Sequence, residues 1–222
     1  MILLENNLIY VATPKTATQS VKKGILDSGI HYTEYLEGRL EYDHYHVTFS
    51  EMITKWGYKD SFCVERDWFE RWYSGFSYLI LGWLNAPHLK TSFKLEDVNN
   101  NFIYSMFDIK FSDSLYSQDP DILKELNRRF VINTDEIIFY SAIKVLCSST
   151  FWKSNKKCTY EFKITELDKL ADFLSDRFGK KVSIPHINDT NSKNALPNVI
   201  INDELKSFIH QTFEKVKSGG LI

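Results

Sequence analysis

The sequence has little of what marks several common protein classes. Its three cysteines, Cys63, Cys147 and Cys158, are widely spaced and form no C-x-x-C pair, so neither a disulfide framework nor a zinc site is indicated. No stretch approaches the roughly 20 apolar residues that a membrane-spanning helix needs. Residues 1–7 contain no basic segment, and their apolar run is too short for a signal peptide. We therefore expect a soluble, cytoplasmic protein with buried free thiols.

An excess of charge of either sign is also missing. Lys and Arg number 27 against 29 Asp and Glu, which gives a formal net charge of −2. Without a global basic field nothing points to nucleic acid as a partner, and any anion site must be built locally. The 222 residues are 43% hydrophobic and 15% aromatic. This composition is typical of a globular chain, and the length suits one domain over residues 1–222.

Glycine is missing where a nucleotide-binding loop would need it. Residues 8–26, LIYVATPKTATQSVKKGIL, are typical of a strand, a polar loop and the start of a helix. Loop 13–20 has a lysine and several hydroxyls but no glycine of the G-x-x-x-x-G-K-[ST] pattern. A helix N-terminus offers amide groups and a positive dipole end that suit an anion, and Lys15 adds a charge. The alternative is an ordinary capped helix with a solvated lysine.

Strands alternate with helices along the rest of the chain. This alternation predicts a three-layer α/β sandwich with a central parallel sheet. The main predicted elements are strands at 8–12, 61–64, 159–164 and 182–184, helices at 18–27 and 68–84, and a helix that is capped by Thr165 and stops at Gly179. In parallel sheets ligands bind outside the carboxyl ends of the strands. Polar clusters follow predicted strands at 13–20, 65–74 and 186–193, which favours a binding site at that edge.

The second cluster, CVERDWFERWYSGF at 63–76, places Arg66 at the end of a buried strand. Ser74 lies two helical turns into the following helix. Arginine at a strand end can bind a phosphate bidentately, and a serine facing the same crevice can add a hydroxyl. The alternative is an ion-pair network at a helix start, in which Arg71 pairs with Asp67.

Together the two clusters resemble a known family. Loop 13–20 is similar to the 5′-phosphosulfate loop of sulfotransferases, and residues 66–74, RDWFERWYS, resemble their 3′-phosphate motif, typically R-D-P-x-x-R-x-x-S, with Trp68 in place of proline. The resemblance is closest to the carbohydrate branch, related to Golgi-type and heparan sulfate 2-O-sulfotransferases. It extends to residues 160–181 and 184–194 and is weakest over 85–155.

The resemblance implies a P-loop nucleotide-hydrolase-like sulfotransferase fold. It also implies 3′-phosphoadenosine 5′-phosphosulfate (PAPS) as the donor, adenosine 3′,5′-bisphosphate as the product, and no metal. Arg66 and Ser74 would hold the 3′-phosphate, with Lys193 assisting unless it is simply a solvated loop lysine. The phosphosulfate would be held by Pro14, Lys15, Thr16, Ala17, Thr18, Gln19 and Ser20. Lys15 would also act in catalysis.

A histidine pair supplies the candidate base. In YDHYHVTF, residues 42–49, His44 and His46 share one face if the segment is extended. The segment resembles the Y-H-G-H-V stretch of uronyl-type 2-O-sulfotransferases, which implies that His46 is the catalytic base and His44 a substrate-side neighbour. A histidine pKa near 6.5 suits removal of a hydroxyl proton. Alternatively the pair binds a metal, without an evident third ligand, or makes only local hydrogen bonds.

The sequence thus favours an enzyme that sulfates a hydroxyl-bearing acceptor, a glycan or a small molecule. His186, in the loop after the last predicted strand, is a further candidate contact for the substrate. Two alternatives stay open. A small P-loop-like kinase would need a glycine-rich loop and a carboxylate for Mg²⁺, for which Asp67 is the obvious candidate. A non-catalytic relative would keep the nucleotide site without turnover.

Overall fold

The computed structural model describes residues 2–13, 15–34, 49–57, 59–85, 93–107, 153, 156–187 and 196–218. These residues group into two compact units. The first is drawn from Met1–Arg71 and Ser148–Asp189, and the second from Trp72–Cys147 and Thr190–Ile222. Whether the whole chain acts as one sulfotransferase domain stays a prediction.

A five-stranded sheet forms the centre of the first unit. Its strands, in the order β3-β1-β2-β4-β5, are β1 (Ile2–Leu4), β2 (Leu8–Val11), β3 (Tyr32–Glu34), β4 (Ser61–Glu65) and β5 (Tyr160–Lys163). Strands β2, β4 and β5 are parallel, whereas β1 is antiparallel to both β2 and β3. The α/β class is confirmed, but the sheet is mixed, whereas the sequence predicts a parallel one. The three-residue 3₁₀ turn Glu5–Asn7 between β1 and β2 is too short for a parallel crossover and permits only an antiparallel pair.

Helices cover both faces of this sheet. Helices α1 (Thr18–Asp27) and α5 (Leu167–Phe178) pack on the face that includes Tyr10 and Phe62. Helix α2 (Phe49–Trp56) packs on the opposite face, against Ile9, Val11 and Cys63. Neighbouring residues of β2 therefore point to opposite faces and are all buried, as a strand covered on both sides requires.

Helix α3 (Trp68–Leu84) begins in the first unit and ends in the second. The second unit also contains α4 (Asn100–Phe107) and α6 (Asp203–Ser218), which contact each other through Tyr104 and Phe208, with ring centroids 4.8 Å apart. Across the described part of the chain, every helix is too short or too polar to cross a membrane.

The structure differs from two local predictions, one at the start of α5 and one in the segment that follows it. Thr165 does not cap α5, because Ile164–Glu166 forms a 3₁₀ turn and the Glu166 carboxylate accepts the Lys163 amide hydrogen at 2.9 Å. Residues 182–184 are not a strand of the sheet, although Val182 is buried against it. Helix α5 does end at Gly179, whose φ of 62° is the left-handed conformation that glycine adopts without strain.

Candidate anion-binding site

The loop between β2 and α1 has two left-handed residues that are not glycine. Lys15 has φ 63° and Ala17 has φ 60°. For residues with a Cβ atom this conformation costs about 1–2 kcal/mol each, and such strain is concentrated at ligand sites. The loop therefore adopts, without glycine, backbone conformations that glycine usually provides. Its last residue, Ala17, is the N-cap residue of α1.

Hydroxyl groups hold this loop in shape. The side chains of Thr16 and Thr18 both donate to the Thr13 carbonyl, at 2.9 and 2.8 Å. The Thr13 and Thr16 hydroxyls are 2.9 Å apart, and the Thr13 hydroxyl also donates to the Val64 carbonyl at 3.3 Å. That last bond connects the loop to the carboxyl end of β4. Two of the hydroxyls predicted as anion ligands, those of Thr16 and Thr18, are thus engaged within the loop.

Two cations lie at the ends of neighbouring parallel strands. Lys15 is half-buried, and its pKa is lowered first by desolvation and then by the nearby charge of Arg66. Arg66 follows β4, and its side chain is only 17% exposed, with its Nε 3.5 Å from the Glu70 carboxylate. Like charges that are held close and partly desolvated repel each other, and an anion beside both would relieve the repulsion. The structure brings the loop and the first arginine of the second motif together, as the sequence predicts.

A small pocket of about 40 Å³ opens beside Arg66. This volume exceeds the roughly 10–15 Å³ needed for one water molecule, so a small polyatomic group fits. Three cationic side chains and one carboxylate line the pocket, and two further carboxylates, those of Glu70 and Glu161, pair with its Arg66 and Lys153. Its lining consists of Thr13, Thr16, Cys63, Val64, Glu65, Arg66, Arg71 and Lys153.

Asp67 and Arg71 have different roles at the start of α3. The Asp67 carboxylate accepts the amide hydrogens of Phe69 and Glu70, both at 3.0 Å, and so caps the helix. This cap explains why the helix begins at Trp68 without the proline that is usual in the resembled motif. Arg71 is 1% exposed, and its side chain reaches the pocket wall.

Lys153 is a site residue that the sequence analysis missed. Its Nζ lies 2.5 Å from Glu65 Oε1 and 2.9 Å from Glu161 Oε1. Burial disfavours the charged amine, but the two hydrogen bonds outweigh burial and raise the Lys153 pKa above its ordinary value. The side-chain ligand atoms of Cys63, Glu65 and Glu161 lie within 4.8 Å of one another, but both carboxylates already form ion pairs with the Lys153 ammonium.

The segment after Val182 is hydrogen-bonded to the first turn of α1. The buried Ser20 hydroxyl accepts from the Ile187 amide at 3.0 Å and donates to the Ile187 carbonyl at 3.3 Å. One turn later, a Cβ atom on Gly24 would lie 2.7 Å from the Ser183 carbonyl oxygen. Ser20, predicted as an anion ligand, thus has a positioning role here.

The remaining predicted site residues are exposed, belong to the second unit or are not described. Gln19 and His186 are exposed, and Ser74 is 7% exposed on α3, in the second unit. Pro14, His44, His46 and Lys193 lie outside the described residues. The roles of the histidine pair and of Lys193 therefore stay predictions.

These observations define a half-buried lysine on a strained loop, an arginine at the next strand end and a small pocket lined by three cationic side chains. Comparison of the chain with family models, with curated proteins and with solved structures gives no significant match.

Proposed function

We propose that the chain is a sulfotransferase that transfers the sulfuryl group of PAPS to a hydroxyl, with a carbohydrate as the favoured acceptor. The observation that carries the proposal is the proximity of two like charges, those of Lys15 and Arg66. Their charges interact across the carboxyl ends of β2 and β4, beside a loop with left-handed backbone and a pocket lined by three cationic side chains. A fold of the P-loop nucleotide-hydrolase-like sulfotransferase type belongs to this proposal.

The donor set fits a nucleotide with two separate anionic groups. Lys15 and the amides at the start of α1 suit the phosphosulfate, because a helix N-terminus presents unpaired N–H groups. Arg66 suits the 3′-phosphate, with Ser74 and Lys193 as the predicted partners. Since the Thr16 and Thr18 hydroxyls are bonded to the Thr13 carbonyl, we assign them to shaping the loop rather than to direct binding.

The chemistry requires charge stabilisation and one proton acceptor. PAPS supplies the sulfuryl group, and His46 is proposed to accept the proton of the acceptor hydroxyl. Lys15 stabilises the negative charge on the leaving phosphate, a type of electrostatic stabilisation that often dominates catalysis. Desolvation of Lys15 strengthens this effect, because a charge in a less polar environment acts on its neighbour with less screening.

The test is a transfer assay with sulfur-labelled PAPS and a panel of hydroxyl-bearing acceptors. Wild-type protein should label an acceptor, while Lys15→Ala and His46→Ala should each lower the rate by about 100-fold or more. Lys23→Ala is the matched control, since Lys23 lies on α1, the helix that follows the Lys15 loop, and forms an exposed ion pair with Asp27. Equal rates for all four proteins would refute the proposal. Magnesium-dependent ATP binding in place of transfer would favour the kinase alternative.

A further inference from the structure

Two carboxylates lie side by side on the neighbouring parallel strands β4 and β5. In the register of these strands Cys63 lies opposite Glu161. Because side chains alternate between the two faces of a sheet, Glu65 shares the face of Cys63 and therefore that of Glu161. One oxygen of each carboxylate and the Cys63 sulfur lie within 4.8 Å of one another. Two carboxylates held this close repel each other unless a cation lies beside them.

Lys153 supplies that cation from a segment that belongs to neither strand. Its Nζ lies 2.5 Å from Glu65 Oε1 and 2.9 Å from Glu161 Oε1, and its side chain is only 12% exposed. Bonds to one ammonium at these distances fix the direction in which both carboxylates point. The position of the Glu65 carboxylate is thus set by a residue 88 positions along the chain.

Glu65 and Arg66 border the same pocket. Both side chains line it together with Lys153, whereas Glu161 is not among the described residues that do so. Arg66 has one long contact, 3.5 Å from its Nε to the exposed carboxylate of Glu70. An exposed pair of that length contributes little. A carboxylate that reached the Arg66 guanidinium inside the pocket would form a stronger, charge-assisted pair and would take the place of an anionic ligand.

We propose that Lys153 is a positioning residue of the anion site, which holds the Glu65 carboxylate away from Arg66 and so keeps the guanidinium available to the 3′-phosphate. This role rests on the proposed function, and it accounts for a carboxylate in the wall of a pocket that accepts an anion. Lys153 does not have to touch the ligand, because its ammonium is bound to the two carboxylates. Without Lys153 the Glu65 carboxylate turns to Arg66 and competes with the ligand.

The first test is the affinity for adenosine 3′,5′-bisphosphate, measured by calorimetry. Lys153→Met should lower the affinity about tenfold, equivalent to the loss of one charge-assisted contact. Adding Glu65→Gln to Lys153→Met should restore it to within about twofold of wild type, since a neutral amide competes weakly for Arg66. Adding Glu161→Gln instead is the matched control. It removes the same charge from outside the pocket lining, so the affinity should stay low.

Three results of this test overturn the proposal. The first is an unchanged affinity in Lys153→Met, because Glu65 then does not reach Arg66. The second is equal rescue by Glu65→Gln and Glu161→Gln, because net charge alone then decides. The third is no rescue by Glu65→Gln, because Lys153 then binds the ligand itself or supports only the fold.

A lysine at the opposite edge of the sheet controls for general loss of stability. Lys180 bonds to the Glu5 carboxylate at 2.7 Å and to the Gly29 carbonyl at 2.8 Å, before the amino end of β2. Lys180→Met removes a comparable pair of bonds far from the pocket and should leave the affinity unchanged. An equal loss of affinity in Lys180→Met and Lys153→Met overturns the proposal.

A second test needs no nucleotide, so it separates failure of this role from failure of the proposed function. The stabilities of Glu65→Gln, Arg66→Gln and the double variant are measured in urea, in the wild-type chain and in Lys153→Met. The two substitutions should be close to additive in the wild-type chain and non-additive in Lys153→Met, where the two side chains pair. Should Lys153→Met not fold, Lys153→Gln replaces it, since its amide is neutral but still donates to a carboxylate.

Additivity in both backgrounds overturns the positioning role even where the bisphosphate binds. Non-additivity that appears only without Lys153 supports the role. If it appears in a chain that does not bind the bisphosphate, the role of Lys153 stands and the proposed function fails.

Discussion

Replacing Gly24 by alanine tests how closely α1 packs against the chain that follows Val182. In a helix interior alanine is normally about 1 kcal/mol better than glycine. At Gly24, however, the new Cβ would lie 2.7 Å from the Ser183 carbonyl oxygen and 3.1–3.2 Å from two atoms of Ile184. Non-bonded carbon atoms prefer about 3.5–4.0 Å, and a backbone carbonyl cannot rotate away. Overpacking of this kind costs about 1–3 kcal/mol.

The expected result is a net loss of stability of about 1 kcal/mol for Gly24→Ala, since the overpacking cost exceeds the propensity gain. Gly82→Ala on α3 is the matched control, because among the described residues no atom beyond its own stretch of helix lies within 4 Å of the added Cβ. It should gain about 0.5–1 kcal/mol. Urea denaturation followed by circular dichroism measures both changes as shifts of the midpoint at constant slope. Equal stabilisation by the two substitutions would refute the close packing of α1.

Three further outcomes follow from the site. Ser20→Ala should destabilise the protein by about 1–2 kcal/mol, because both hydrogen bonds to Ile187 are lost. An unfolding midpoint in urea equal to that of wild type would contradict this prediction. The affinity for adenosine 3′,5′-bisphosphate should decline as the pH rises through the lowered pKa of Lys15, because the amine loses its charge there. In Lys15→Arg the decline should move to higher pH, and identical titration curves for the two proteins would contradict this prediction. Lys153→Met should destabilise the protein by about 1–2 kcal/mol near pH 7, less than a fully buried pair because Glu65 is partly exposed. Its deficit should shrink in acid, where the carboxylates are protonated, and a deficit independent of pH would count against the pairing.

The helices that flank the site could be predicted from sequence because their signals are local. Apolar spacing and terminal residues predict α1 at 18–27 and α3 at 68–84, the bounds observed. Strand direction could not be predicted in the same way. Whether β1 runs parallel or antiparallel to β2 depends on a three-residue turn and on which strands pair, and a three-residue strand has too little periodicity to be recognised.

The site was only partly predictable for a similar reason. Lys15 and Arg66 each follow a buried strand, so sheet geometry alone predicts that they meet. Lys153 lies 88 residues from Glu65 and carries no local signature of the pairing. The roles of Thr16 and Ser20 also depended on tertiary structure, because a hydroxyl bonds equally well to a ligand or to a nearby carbonyl.

The central claim is that Lys15 and Arg66 bind two different anionic groups of one nucleotide. Calorimetric titration with adenosine 3′,5′-bisphosphate and with adenosine 5′-monophosphate tests it directly, with Lys23→Ala as the control. Wild type and Lys23→Ala should prefer the bisphosphate by about tenfold to 100-fold, the value of one charge-assisted contact. Arg66→Ala should abolish this preference, and Lys15→Ala should weaken binding of both nucleotides. Equal affinity of wild type for the two nucleotides, or an undiminished preference in Arg66→Ala, would contradict the account.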